Sequence, residues 1–76
     1  MRARTFVVLV EDRPGVLDRV ASLFRLRAYN IESLAVGHTD RPGVSHITIV
    51  MNADDRTARL VEANLYKLAN VIEVQD

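Results

Sequence analysis

The sequence has no cysteine, no tryptophan and no excess of charge, since ten Lys and Arg residues balance ten Asp and Glu residues. Without cysteine it can form no disulfide framework, no thiolate metal site and no cysteine nucleophile. A nucleic-acid-binding domain normally shows a clear excess of basic residues, so the charge balance argues against nucleic acid as a partner.

The chain also lacks a long apolar run. No stretch approaches the ~20 apolar residues that span a bilayer, so we expect no membrane partner. The uncharged run at residues 5–10 is too short for the apolar core of a signal peptide, which predicts a cytoplasmic location.

The length of 76 residues predicts a single domain, residues 1–76. A hydrophobic fraction of 49% is too high for a disordered segment. A domain this small buries only about 60% of its unfolded surface, and association is a common way to stabilise one without disulfides or metal. We therefore expect at least a homodimer.

Hydrophobic periodicity predicts six elements in the order β-α-β-β-α-β. Strands are predicted at residues 5–10, 31–39, 44–51 and 71–75, with helices from Gly15 and from the acidic caps Asp54 and Asp55. This is the split βαβ plan of an α+β, ferredoxin-like sandwich. Right-handed crossovers give a four-stranded antiparallel sheet with both helices on one face and the first and third strands central.

The same pattern predicts the core. Both rows of the first strand are apolar, Phe6/Val8/Val10 and Val7/Leu9, which predicts that both of its faces are covered. The third strand presents Ile47, Ile49 and Met51 on one face. The apolar stripes of the helices are Val16, Leu17, Val20, Ala21, Leu23 and Phe24 in the first, and Leu60, Val61, Leu65 and Leu68 in the second.

The junction between the first strand and the first helix has two interpretations. Pro14 and Gly15 could serve only the turn that starts the helix. Alternatively, free N–H groups at Gly15, Val16 and Leu17 could bind a small anion such as a carboxylate at the helix N-terminus.

Asn30, which follows the first helix, also has two interpretations. It could be a helix C-terminal residue that tolerates a left-handed backbone. Alternatively, its amide could bind both the carboxylate and the ammonium group of an amino acid. If edge strands pair across a dimer, Asn30 of one subunit approaches residue 15 of the other.

Catalytic, metal and RNA-binding interpretations are weaker. His38 and His46 flank the hairpin connection, but a metal site would need a third ligand, and Asp40 is the only nearby carboxylate in the turn. Two exposed histidines explain the pattern better than a metal site. No nucleophile elbow or glycine-rich phosphate loop is present. The aromatic residues are scattered, without the basic-aromatic strand motif of an RNA-binding sheet.

Specific motifs resemble a known family. Residues 8–20 resemble the opening of an ACT domain, with the sequence VLVEDRPGVLDRV. Residues 23–34 (LFRLRAYNIESL), 48–50 (TIV) and 65–72 (LYKLANVI) are similar to the small regulatory subunit of acetolactate synthase, also called acetohydroxyacid synthase. The resemblance covers essentially the whole chain, and the NIESL segment is quite specific to that subunit among ACT domains.

The resemblance implies a non-catalytic subunit of the first common enzyme of branched-chain amino acid synthesis. It implies no cofactor in this chain, and thiamine diphosphate, Mg²⁺ and FAD on the catalytic large subunit. In the family, ACT domains dimerise by joining two sheets into one, and valine, the usual feedback inhibitor, binds between them. Matched residue by residue, the contacts fall on Asp12, Gly15, Val16 and Leu17 of one chain, and on Asn30 and Ile31 of its neighbour.

Three departures from the family pattern bear on function. Asp12 replaces a frequent Asn, which favours the ammonium group of the ligand over its carboxylate. Ala28 stands where the family usually has glycine, and the alanine costs roughly 1 kcal/mol of stability if the backbone φ is positive there. The chain ends where the first domain of the family ends, as expected of a short form, a truncated chain, or a free-standing dimeric ACT module without this enzyme partner.

Overall fold

A computed structural model describes residues 2–76, and its elements follow the predicted order. The strands are β1 (Arg2–Glu11), β2 (Ile31–His38), β3 (Val44–Ala53) and β4 (Val71–Gln75). The helices are α1 (Val16–Leu26) and α2 (Asp55–Tyr66). The fold is therefore the predicted ferredoxin-like βαββαβ sandwich. Within residues 2–76, no helix is both long and apolar enough to cross a bilayer.

The four strands form one antiparallel sheet in the order β2-β3-β1-β4, which confirms the prediction that the first and third strands are central. The register places Phe6 opposite Ile49 and Val8 opposite Ile47. These side chains share the face that both helices cover. The sheet leaves β2 and β4 as its two edges.

The core lies between that face and the helices. Phe6, Val8, Ile47 and Ile49 are completely buried, and Met51 is nearly so, which confirms the alternation predicted for β3. From the helices the core receives Val16, Val20, Leu23, Phe24, Ala58, Val61 and Leu65.

Three details of the predicted core are wrong. Val7 and Leu9 are only half-buried, because both helices cover the opposite face of the sheet. No other element of residues 2–76 covers the face on which Val7 and Leu9 lie. Leu17 is 42% exposed and Leu60 is 49% exposed, although each belongs to an apolar stripe. A flat sheet contacts a narrower line of a helix than the stripe covers, and residues one position off that line are turned about 100° away.

The start of α2 confirms the predicted acidic cap. Asp54 is the N-cap, and its Oδ1 accepts a hydrogen bond from the Thr57 backbone N–H at 2.7 Å. This bond lowers the pKa of the Asp54 carboxyl below its ordinary value of 3.8, because it stabilises the charged form.

Candidate functional site

The junction between β1 and α1 is an uncapped helix start. Gly15 is the N-cap residue, with φ of 85°, and within residues 2–76 no side chain caps the helix. Val16 N–H donates to the Arg13 carbonyl at 3.3 Å, so the prediction that this group is free is wrong. For the N–H groups of Gly15 and Leu17 the structure gives no acceptor from residues 2–76. Two of the three predicted donors therefore remain without an acceptor among residues 2–76, at the positive end of the α1 dipole.

A small recess adjoins this junction. Its volume is about 70 Å³, and it lies between the junction, the first turn of α1 and the end of β2. Val10, Val36 and Ile47 supply apolar side chains to it, and the buried Ser45 supplies a hydroxyl. Val36 and Ser45 are absent from the site predicted by sequence, because sheet pairing alone brings them to the junction. No local motif marks either residue.

Asp12 faces the end of β2. Its backbone N–H donates to the Gly43 carbonyl at 2.9 Å, which ties the junction to the β2–β3 connection. Its Oδ2 lies 3.9 Å from His38 Nδ1, and both side chains are mostly exposed. The Asp12 carboxylate is therefore held at the mouth of the recess and is open to a ligand.

Asn70 fastens the other side of the junction. Its carbonyl accepts the Glu11 backbone N–H at 2.9 Å, and its Nδ2 donates to Glu11 Oε1 at 3.3 Å. Its Oδ1 accepts from Arg19 Nη1 at 2.7 Å. Glu11 also pairs with Arg13, with 3.3 Å between Oε2 and Nε. One half-buried side chain thus links the end of β1, the start of α1 and the start of β4.

The end of α1 excludes one of the two interpretations of Asn30. The N–H of Tyr29 donates to the Phe24 carbonyl at 3.0 Å, and that of Ala28 to the Arg25 carbonyl at 3.1 Å. This is the Schellman pattern, and the rings of Phe24 and Tyr29 pack edge to face with centroids 6.0 Å apart. The left-handed residue is Ala28, with φ of 57°, so Asn30 does not terminate the helix in that conformation.

Asn30 and Ile31 lie at the opposite end of β2 from the junction. Asn30 is exposed and lines an open recess of about 510 Å³ beside Tyr29 and Met51. Ile31 is half-buried and packs against the core. The pairing of β2 with β3 shifts register between Ile31 and Ser33. This irregularity is a β-bulge, which bends the strand next to Asn30.

The predicted site residues therefore form two groups. We call Asp12, Gly15, Val16 and Leu17 the junction half-site, and Asn30 and Ile31 the edge half-site. The eight residues of β2 separate them by about 24 Å, at about 3.4 Å per residue. The structure brings the junction half-site together and does not bring the edge half-site to it within one chain.

The two histidines have different environments. His38 is exposed as predicted, with 88% of its side chain accessible. His46 is half-buried, so the prediction of an exposed residue is wrong for it, and its ring packs against Gly37, its cross-strand partner. Within residues 2–76, no three side chains of His, Asp or Glu are grouped to hold a metal ion.

Comparison with known proteins assigns the fold to a family. A model of the AHAS small subunit-like ACT domain, where AHAS denotes acetohydroxyacid synthase, matches residues 6–73. The chain belongs to this family. The resemblance found in the sequence motifs is thereby confirmed.

Individual relatives of this AHAS small subunit-like ACT domain are named acetolactate synthase small subunits. A probable acetolactate synthase small subunit of Archaeoglobus fulgidus is 51% identical over 72 residues, which cover 95% of this chain and 45% of that protein. The acetolactate synthase small subunit of Mycobacterium bovis is 51% identical over 73 residues, covering 96% and 44% respectively. The chain thus spans about half the length of these relatives.

Solved structures agree on the fold. The acetolactate synthase small subunit of Thermotoga maritima matches with a TM-score of 0.93 and 39% identity, over 99% of this chain and 47% of that one. The ACT domain from GTP pyrophosphokinase of Chlorobium tepidum matches with a TM-score of 0.81 and 15% identity, over 97% of this chain and 83% of that one. At that identity the second match shows the fold alone.

Proposed function

We propose that this ACT domain is the effector-binding region of a non-catalytic regulatory subunit of acetolactate synthase. It binds a branched-chain amino acid, valine in the first instance, for feedback inhibition of valine, leucine and isoleucine synthesis. The observation that carries the proposal is the family match over residues 6–73, with about half of the residues identical to named small subunits. The thiamine diphosphate, Mg²⁺ and FAD of the reaction belong to the large subunit.

The effector site forms between two copies of the chain. As an edge strand, β2 has backbone groups that are unpaired on one side. Antiparallel pairing of two β2 strands about a two-fold axis brings the start of one strand to the end of the other. Asn30 of the partner subunit then approaches the His38 end of β2, where Asp12 and the junction half-site lie. A dimer therefore completes two identical sites.

The chemistry of the two half-sites fits an amino acid. The N–H groups of Gly15 and Leu17, at the positive end of α1, suit the ligand carboxylate. The Asp12 carboxylate suits the ligand ammonium group, and the amide of Asn30 can serve either charged group. The recess of about 70 Å³ beside Val36 has room for a small aliphatic side chain, since bulk water occupies about 30 Å³ per molecule.

A free-standing dimeric ACT module without this enzyme partner is the second candidate. The same fold occurs in a protein other than an acetolactate synthase small subunit, the GTP pyrophosphokinase of Chlorobium tepidum, so the fold by itself does not require this enzyme partner. Both candidates use the same amino-acid site. Co-purification with the acetolactate synthase large subunit of the same organism separates them, because the free-standing module would not be retained.

Thermal melting across a valine series tests the effector site. In wild type, valine raises the melting temperature, because it binds only the folded dimer. In Asn30→Ala the polar groups of the ligand lose a buried partner, which weakens valine binding by about 1–3 kcal/mol, or roughly five- to 150-fold. Without ligand, Asn30→Ala melts close to wild type, since Asn30 is exposed and does not cap α1.

Gln75→Ala is the matched control, because Gln75 is an exposed amide on β4, at the opposite edge of the sheet. It should keep the full valine response. The series is repeated with leucine and isoleucine. If Asn30→Ala and wild type respond equally, Asn30 has no role in the site, and if wild type responds to none of the three, the domain is not a branched-chain sensor.

A further inference from the structure

The two helices and their capping residues carry six of the ten cationic side chains of a chain whose net charge is zero. Residues 15–27 and 54–67 contain six cationic and four acidic side chains, namely Arg19, Arg25, Arg27, Arg56, Arg59 and Lys67 against Asp18, Asp54, Asp55 and Glu62. The rest of the chain contains four cationic and six acidic side chains. The helix layer therefore carries a small excess of positive charge.

A groove runs between α1 and α2 on this face. We call it the helix groove; its volume is about 350 Å³, and its lining includes the apolar Leu23, Leu26 and Leu68, the cationic Arg19, Arg27 and Lys67, and the acidic Asp18. Leu26 is 80% exposed, which is unusual for a leucine at the rim of an apolar groove. Leu60, which is 49% exposed, lies one turn before Asn64 on the same side of α2.

Two of the three cations at the groove are held by amide groups, and none of the three has a carboxylate partner among residues 2–76. Arg27 Nη2 donates to Oδ1 of the buried Asn64 at 3.1 Å, and Arg19 donates to Asn70 at 2.7 Å. Within residues 2–76, no carboxylate oxygen lies within ion-pairing distance of Arg19, Arg27 or Lys67. These amide partners orient the guanidinium groups without neutralising them. The groove thus combines apolar side chains with a net positive charge, because Asp18 offsets only one of its three cations.

We propose that the helix groove is the docking surface for the acetolactate synthase large subunit, through an acidic segment in which carboxylates flank an apolar side chain. The apolar side chain of the large-subunit segment covers Leu26, and the carboxylates of the same segment pair with Arg27 and Lys67. A second copy of this chain does not fit, because two such grooves in contact would oppose cation to cation. The identity of the partner rests on the proposed function, whereas its chemistry rests on the groove.

The proposed dimer leaves the groove accessible. Pairing of β2 edges about a two-fold axis perpendicular to the sheet extends the sheet and keeps all four helices on one side of it. The β2 edge is then occupied, and two helix grooves remain open on the same face. The effector site and the partner surface are therefore separate, so each can be tested while the other is intact.

Calorimetry with the large subunit of the same organism tests the groove, using Leu26→Glu and Lys67→Glu. Each should weaken binding about tenfold or more, because Leu26→Glu removes the apolar contact and Lys67→Glu repels the acidic segment. The controls are Ile72→Glu, at an exposed apolar residue of β4, and Arg41→Glu, in the β2–β3 connection. Both should bind as wild type does.

Salt dependence provides a second measurement. Between about 0.05 M and about 0.5 M salt, wild-type binding should weaken more steeply than binding of Lys67→Glu, since an ion pair is missing in the variant. Valine melting is run on every variant and should be unchanged in Leu26→Glu and Lys67→Glu.

The outcomes separate this proposal from the proposed function. Equal affinity of wild type, Leu26→Glu and Lys67→Glu for the large subunit overturns the groove and leaves the regulatory role standing. Absence of large-subunit binding by wild type overturns both, while a valine response in the same preparation keeps the free-standing sensor. A loss of dimer in Leu26→Glu assigns the groove to a second copy and also overturns the proposal.

Discussion

Ala28 holds a backbone conformation that favours glycine. Its φ of 57° completes the Schellman turn that ends α1, and a β-carbon is strained there. We expect Ala28→Gly to stabilise the fold by about 1 kcal/mol, or about 4–8 °C in melting temperature for a domain of this size. Ala63→Gly, at an exposed position within α2, should instead destabilise it. Equal effects of the two substitutions would show that residue 28 is not strained.

Asp54 makes the stability of α2 depend on pH. The hydrogen bond from the Thr57 N–H lowers the pKa of the Asp54 carboxyl in the folded state below 3.8. The stabilisation that this charged cap gives the fold is therefore complete above pH 3.8, and it is lost as the pH falls through the lower folded-state pKa. We expect Asp54→Asn, which can cap but carries no charge, to lose this dependence. Melting temperatures of the two proteins should converge in acid. Asp40→Asn, at an exposed turn residue, is the control, and parallel curves for wild type and Asp54→Asn would contradict the assignment.

At the scale of elements, Asn70 connects three pieces of the fold at the junction half-site. Asn70→Ala removes its side-chain hydrogen bonds to Glu11 and Arg19. We expect the free energy of unfolding to fall by about 1 kcal/mol, because the half-buried Glu11 loses a hydrogen bond, whereas the exposed Arg19 can bond to water instead. Valine affinity should also fall, since the Gly15 turn is no longer held. The measurement is denaturant unfolding followed by the valine series.

Gln75→Ala is the comparison for Asn70→Ala, because Gln75 is an exposed amide on β4 and belongs to neither half-site. It should change neither stability nor valine affinity. A folded Asn70→Ala protein with wild-type valine affinity would show that the network supports the fold but not the site.

At the scale of the whole molecule, the proposed effector site depends on dimerisation through the β2 edge. Val36 is 50% exposed on this edge, and lysine on an edge strand opposes pairing. We expect wild type to sediment as a dimer at micromolar concentration and to melt at higher temperature as its concentration rises. Val36→Lys should sediment as a monomer and melt independently of concentration.

Ile72→Lys places the same charge on the other edge strand, at a side chain of similar exposure (40%). It should remain dimeric. If wild type is a folded monomer at that concentration, the shared effector site fails with it. If Ile72→Lys rather than Val36→Lys becomes monomeric, the dimer forms through β4 and the edge half-site stays unpaired.

The element order, the central strands and most of the core were determined by the sequence alone. Strand alternation in residues 44–51 and the acidic cap at Asp54 are local patterns, and local backbone preferences decide them. The VEDRPGVL and NIESL motifs likewise identified the family. The sequence showed that Ala28 stands where the family usually has glycine, whereas its positive φ is known only from the structure.

Tertiary structure decided which residues share a site. Val36, Ser45 and His38 reach the junction through sheet pairing, and Asn70 reaches it from the far end of the chain. Leu17 and Leu60 lie in apolar stripes yet stay exposed, because the line of helix–sheet contact is set by packing rather than by periodicity. Contacts between residues distant along the chain leave no local signature. The proposed approach of Asn30 to Asp12 cannot be read from one chain, since it depends on the geometry of a second chain.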